Sequence, residues 1–162
     1  MDIDKIIPPA DHQHRNEFNN SNMINQLNDF YKKLLEDALI GKMLIEPDDT
    51  LLVETLANIK SEKSLPILYN YLKSCSDKMK QLIFPVSIFE INSDPMMINI
   101  AVASFEQLDG NKNPYYVYQV IPAFYHLVKL KSSVVNNIIK RYTAHKEILI
   151  SFNAKEALGL IG

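Results

Sequence analysis

Residues 51–73, LLVETLANIKSEKSLPILYNYLK, carry an apolar period that strands do not use. Leu52, Leu56 and Ile59 recur at the three-and-four spacing of one helix face. The polar stretch KSEKS interrupts them, and Leu68, Tyr71 and Leu72 resume the period after Leu65-Pro66. The pattern predicts a helix, a short turn and a second helix. Ser64 as cap and Pro66 in the first turn mark the second start, because neither position needs its backbone N–H inside the helix.

The same reading extends along the chain. Ile24, Leu27, Tyr31, Leu34, Leu35 and Ala38 fall on one stripe and predict a continuous helix from about Asn22 to Ile40, terminated at Gly41. Pro47-Asp48-Asp49 marks the next start, with an aspartate as N-cap. Residues 77–92 predict a helix with Leu82, Val86 and Phe89 inward and a kink at Pro85. Asp94-Pro95 opens a helix whose stripe is Ile98, Ala101, Val102, Phe105 and Leu108, and Asn113-Pro114 opens another, kinked at Pro122. Val134, Val135, Ile138, Ile139 and Tyr142 describe a seventh, and Asn153 with Glu156 reads as a capping box for an eighth. No useful segment alternates with the strand period, so the expected fold is all-α, with about eight helices. Residues 1–21, polar, proline-bearing and without period, read as a flexible N-terminal arm before a single domain over 22–162.

The inter-helix turns repeat. Ile59-KSEKS, Ile91-NSDPM, Leu130-KSSVV and Ile161-Gly162 align at spacings of 32, 39 and 31 residues. Periods of that size holding two helices predict an α-solenoid, because a two-helix unit cannot bury its apolar face without a neighbour. LLVETLANIKSEKSLPILYNYLK is similar to the HEAT family, in which an apolar helix ends in Leu or Ile, a short polar turn follows, and a Leu-Pro pair opens the next helix. The resemblance is good over this unit, weaker over 82–108 and degenerate over 114–142. Bulky Phe, Tyr and Ile replace the small residues of regular repeats, and Pro85 and Pro122 sit deep in their helices, so an irregular solenoid is expected. Short, acid-tilted, irregular HEAT-like chains also resemble bacterial immunity proteins of contact-dependent inhibition and related polymorphic toxin systems. That resemblance implies a one-to-one complex with a basic toxin domain.

Composition narrows the setting. The chain has 162 residues, 47% apolar, with four glycines and one cysteine, Cys75. That suffices for a continuous core and rules out an internal disulfide. Asp2, Asp4, Pro8 and Pro9 do not make a secretory leader, and no apolar run approaches the roughly 18 residues of a membrane span. The expected location is the cytoplasm, away from membranes. Charge is uneven: residues 36–62 hold seven acids against Lys42 and Lys60, whereas 129–147 hold Lys129, Lys131, Lys140, Arg141 and Lys146 against Glu147. An acidic front half argues against general nucleic-acid binding.

Candidate chemistry is sparse. Asp11-His12-Gln13-His14 lacks supporting ligands nearby and reads as solvated arm, not a metal site. His126 lies in an apolar helix and reads as a satisfied, half-buried histidine, and Cys75 reads as structural or incidental. No phosphate-cradling loop, metalloprotease helix or serine elbow is present, so no enzyme activity and no cofactor are expected. Tyrosines supply large contact area with one polar tip and are common at binding hot spots. Tyr69, Tyr71 and Tyr125 are assigned to second helices of repeats, which line the concave face in HEAT-like solenoids, while Tyr115, Tyr116 and Tyr118 cluster at a helix start. Tyr71 shares a stripe with Leu68 and Leu72 and is expected in the core, whereas Tyr69 and Tyr116 are expected to be exposed. The candidate partner-binding residues are Glu46, Asp48, Asp49, Glu54, Tyr69, Tyr115 and Tyr116. A scaffold or adaptor role, and a HEAT-like nucleic-acid enzyme of the alkylation-repair glycosylase type, remain the other readings.

Overall fold

Alternating helix periods and Asp/Pro start signals become nine α-helices among the described residues of the computed structural model, which are 5–9, 20–110 and 115–161. They are α1 Ser21–Asn25, α2 Asp29–Met43, α3 Thr50–Asn58, α4 Leu65–Ser74, α5 Lys80–Asn92, α6 Met96–Gly110, α7 Tyr116–Leu127, α8 Ser133–Lys140 and α9 Ile148–Ala157. Short 3-10 turns at Glu62–Ser64 and Val128–Leu130 lead into α4 and prolong α7. No strand occurs among the described residues, so the fold is all-α.

Several boundaries differ from expectation. The first helix is broken: α1 ends at Asn25, and Asn28 accepts a hydrogen bond from Tyr31 N at 3.0 Å to cap α2. Gly41 does not terminate α2, which runs on to Met43. Asp49 does cap α3, its Oδ1 accepting from Leu51 N at 3.0 Å and Leu52 N at 3.4 Å. Ser64 is no side-chain cap, because its hydroxyl donates to Ser61 C=O at 2.7 Å. Asn153 and Glu156 form no capping box. Both lie inside α9, which starts at Ile148, and Asn153 Nδ2 donates to Leu149 C=O at 2.8 Å. Asn113-Pro114 and residues 10–19 lie outside the described residues. The described part of the expected arm rests on the domain: Ile6 is buried, and Asn20 Nδ2 donates to Ile6 C=O at 2.8 Å and Thr55 Oγ1 at 3.0 Å.

Helix α5 organises the core. Leu82 through Ile88 are all buried, so the middle of this helix is covered on every side. Leu82, Ile83 and Val86 face one apolar cluster with α6, α7, α8 and α9. Phe84 and Ile88 face a second, built from Ile6, α1 to α4 and Met97 of α6. Tyr71 of α4 stacks on Phe84 with ring centroids 4.5 Å apart, as its stripe predicted, although it stays half-exposed at the edge.

The packing order is α3 on α5, α5 on α7 and α7 on α9, with α2, α4, α6 and α8 beside them. α3 and α5 run parallel, since Asp48–Lys80 joins their starts at 2.5 Å and Lys60 Nζ reaches Glu90 C=O near their ends at 2.5 Å. Each of these odd-numbered helices is followed by a left-handed residue: Lys60, Ser93, Lys131 and Gly159, with φ of 58, 58, 48 and 66°. α3 and α9 close with the same pair of bonds, Lys60 N to Ala57 C=O with Ser61 N to Leu56 C=O, and Gly159 N to Glu156 C=O with Leu160 N to Lys155 C=O. This is the Schellman closure, which satisfies carbonyls that a helix end leaves open.

Pro85 is buried at the centre of α5 and has no N–H for Gln81 C=O. Ser104 of α6 takes that role, with Oγ 3.0 Å from the Gln81 carbonyl and 2.9 Å from Ile100 C=O. Ser104→Ala is expected to cost about 1–3 kcal/mol in urea unfolding, the penalty for a buried acceptor left bare. Pro85→Ala restores the missing donor, so the Ser104 penalty should shrink in that background. Equal penalties in both backgrounds rule out the compensation. Ser93→Gly, which relieves a left-handed residue that carries a Cβ, is expected to raise stability by about 1 kcal/mol. Unchanged urea midpoints would refute it.

Candidate protein-binding groove

α4 and α6 lie on the same flank of α5, and the gap between them is a groove of about 590 Å³. Its apolar wall is Leu72, Met96, Met97, Ile100 and Ala103, while Tyr69, Lys73, Asp94, Asn99 and Gln107 form polar edges. The sequence pattern explains it. α6 carries one stripe for the core, ending in Phe105 and Leu108, and a second at Met96, Ile100, Ala103 and Gln107 that faces outward.

Tyr69 is fixed at one end of this groove. Its hydroxyl donates to Asp94 Oδ2 at 2.6 Å and accepts from Asn92 Nδ2 at 3.1 Å. Asp94 Oδ1 in turn accepts from Met96 N at 2.9 Å, so one carboxylate ties α4 to the first turn of α6. Burial, then the bond to Asp94, raises the Tyr69 pKa above its ordinary 10.0. Tyr116 is held at the far end of α6, where its hydroxyl bonds to Asp109, and burial followed by that bond raises its pKa. The 15 residues of α6 put Tyr69 and Tyr116 about 20 Å apart, so they do not share a site. Tyr115 is exposed beside Tyr116, and Tyr118 is also exposed. Tyr125 sits on α7, in the α3-α5-α7-α9 series, and not on a second helix. Its hydroxyl bonds to Glu156 and lies 2.8 Å from Asn153 Oδ1 on α9. Burial and Glu156 push its pKa up to about 12.

The four candidate acids have separate fates. Glu46 is exposed in the α2–α3 loop, next to exposed Leu44 and Ile45. Asp48 pairs with Lys80, whose hydrogen bond holds its pKa below the ordinary 3.8. Asp49 is occupied as the cap of α3. Glu54 turns inward to the basic stretch, with Oε1 3.3 Å from both Lys129 Nζ and His126 Nδ1. Lys129 lies 3.7 Å from Glu90 Oε2 as well, so this lysine joins α3, α5 and the turn after α7. The structure thus gathers Asp48 and Asp49 at the start of α3 but scatters the candidate set as a whole. The groove residues Met96, Ile100 and Ala103 escaped sequence reasoning, although their helical spacing was a usable signal.

His126 shows which force wins in the Glu54 seam. The carboxylate favours imidazolium, yet burial outweighs it and lowers the His126 pKa below 6.5, with Lys129 adding to the shift. The folded state therefore prefers neutral imidazole, and this stabilising contribution is complete above pH 6.5 and lost as pH falls through the lowered value. His126→Gln is expected to flatten the fall in urea midpoint below pH 6.5 relative to wild type. An identical pH profile in the variant would refute this.

Among the described residues, no group of three His, Cys, Asp or Glu side chains is placed to hold a metal ion, and no helix is long and apolar enough to cross a membrane. His12 and His14 lie outside the described residues. No protein-family model, curated protein or solved structure matches this chain.

Proposed function

We propose that the chain is a non-enzymatic protein-binding module on a short, irregular HEAT-like α-solenoid, acting in the cytoplasm as an immunity protein that neutralises a toxin domain one-to-one. The α4–α6 groove carries this reading. An apolar floor with a polar edge suits an inserted side chain or amphipathic helix. Its lining includes one lysine and one carboxylate, Lys73 and Asp94, and Asp94 is already committed to Tyr69 and Met96. The solenoid reading draws support from the serial packing of α3, α5, α7 and α9 and from the left-handed residue that follows each.

Charge supports a protein partner over a nucleic acid. Lys129, the first of the five cations in the basic stretch, is held between Glu54 and Glu90. Exposed Glu46 offers a basic toxin domain an attractive point that costs the fold nothing to present.

Ala103 is exposed on the groove's edge, so Ala103→Arg changes the groove without touching the core. Used as bait in its native cells, the wild-type chain is expected to retain one equimolar protein with a toxic domain. Ala103→Arg should weaken that complex about 30-fold or more and abolish growth protection on co-expression. Recovery of nucleic acid instead, or undiminished protection by the variant, overturns the proposal.

A further inference from the structure

Two glutamates, a histidine and a lysine meet along one seam between α3, α5 and α7. Glu54 Oε1 lies 3.3 Å from Lys129 Nζ, which donates a hydrogen bond to it, and 3.3 Å from His126 Nδ1. Lys129 Nζ also stands 3.7 Å from Glu90 Oε2, beyond hydrogen-bonding distance, and that oxygen is buried with no hydrogen-bond partner. One acceptor therefore serves two bases, while a second, within reach of the same lysine, goes unused.

We propose that protonation of His126 moves Lys129 from Glu54 to Glu90, so that the seam is a proton-driven switch of ion-pair partners. While the imidazole is neutral, Glu54 takes the ammonium as its counter-ion. Once the ring carries a second proton, two full cations share one carboxylate oxygen and repel each other. Lys129 is the one that yields, because 35% of its side chain is exposed against 18% for His126. A displacement of about 1 Å brings its Nζ to charge-assisted bonding distance from Glu90 Oε2. Filling that acceptor removes the penalty of a buried oxygen left bare, and each carboxylate then has its own cation. The lysine's tie passes from α3 to α5, while the imidazolium holds α3 to α7. The surrounding charges are engaged elsewhere or stand at the rim. Lys60 Nζ is bonded to the Glu90 backbone carbonyl, and Lys131 is exposed at the edge of the same depression. From α6 and α9, Asp109 and Glu156 turn to Tyr116 and Tyr125. Burial, Glu54 and Lys129 set the proton affinity of His126, so in the exchange Glu90 acts on the ring through the lysine.

Nuclear magnetic resonance on the full chain tests this, by following the His126 ring proton and the Glu54 and Glu90 carboxyl carbons against pH. Glu90→Gln is expected to lower the His126 midpoint by about half a pH unit or more, a loss of about threefold in proton affinity. Lys129→Met removes the competing cation and should raise that midpoint. In the Lys129→Met background, Glu90→Gln should have no further effect, because the lysine that connects the two residues is gone. A direct field of Glu90 on the ring would instead shift the midpoint equally in both backgrounds. In the wild-type chain the Glu90 carboxyl resonance should move at the His126 midpoint. That readout needs no substitution, so it decides the matter even if a variant fails to give native circular dichroism at neutral pH. An unchanged His126 midpoint in Glu90→Gln, equal shifts with and without Lys129, or a Glu90 resonance indifferent to the His126 titration each overturns the proposal.

Discussion

A helical segment with no solvent face must satisfy its backbone entirely from within the protein, and the middle of α5 is such a segment. Its buried run from Leu82 to Ile88 supplies side chains to both apolar clusters, so each half of the chain packs against the same wall. Pro85 in that run leaves one carbonyl without its usual donor. The Ser104 hydroxyl supplies a replacement from α6 and thereby fixes where α6 lies along α5. The groove is a consequence, because once α4 and α6 are both docked on α5, the space between them is set. Disturbing the α5–α6 register would move Met96 and Ile100 relative to Tyr69 and reshape the candidate site.

Parallel stacking imposes a second constraint. Lys60, Glu90, Lys129 and Lys131 border one depression where α3, α5 and the turn after α7 end. Helix C-termini gathered there bring open carbonyls and the negative ends of their dipoles close together. Lys60 answers one of these directly at Glu90 C=O, and Lys129 balances Glu54 and Glu90. The basic stretch read in the sequence is therefore partly an internal counter-charge. That weakens any use of it as a phosphate-binding surface more firmly than overall composition could.

Local signals in the sequence were enough to locate most helices. Asp49, Pro66 and Asp94-Pro95 all stand at or near real starts, and the inward stripe of α6 is buried as its spacing indicated. The break between α1 and α2 was hidden because Ile24, Leu27 and Tyr31 keep helical spacing across it, and only Asn28 betrays the new cap. Asn153 and Glu156 have the spacing of a capping box but are placed by Tyr125 across the α7–α9 contact. The candidate acids failed as a group for a tertiary reason. Glu54 and Lys129 are 75 residues apart in sequence, and no local pattern indicates that one answers the other. The outward stripe of α6 was legible but overshadowed, because a helix with two apolar faces reads first as core.

The polar contacts at the candidate residues hold the fold together. Tyr69 with Asp94, Tyr116 with Asp109, Tyr125 with Glu156, and Glu54 with Lys129 and His126 each hold two elements together. Burial and the carboxylate bonds shift the three tyrosines toward retaining their protons. The surface also leaves apolar side chains uncovered: Met96 at the groove, Ile148 and Phe152 on α9, and Phe30 on α2. Burying such area yields roughly 25 cal/mol per Å² before the cost of association is counted. The paired polar side chains named above hold the helices in place, and covering the exposed apolar faces would release further free energy.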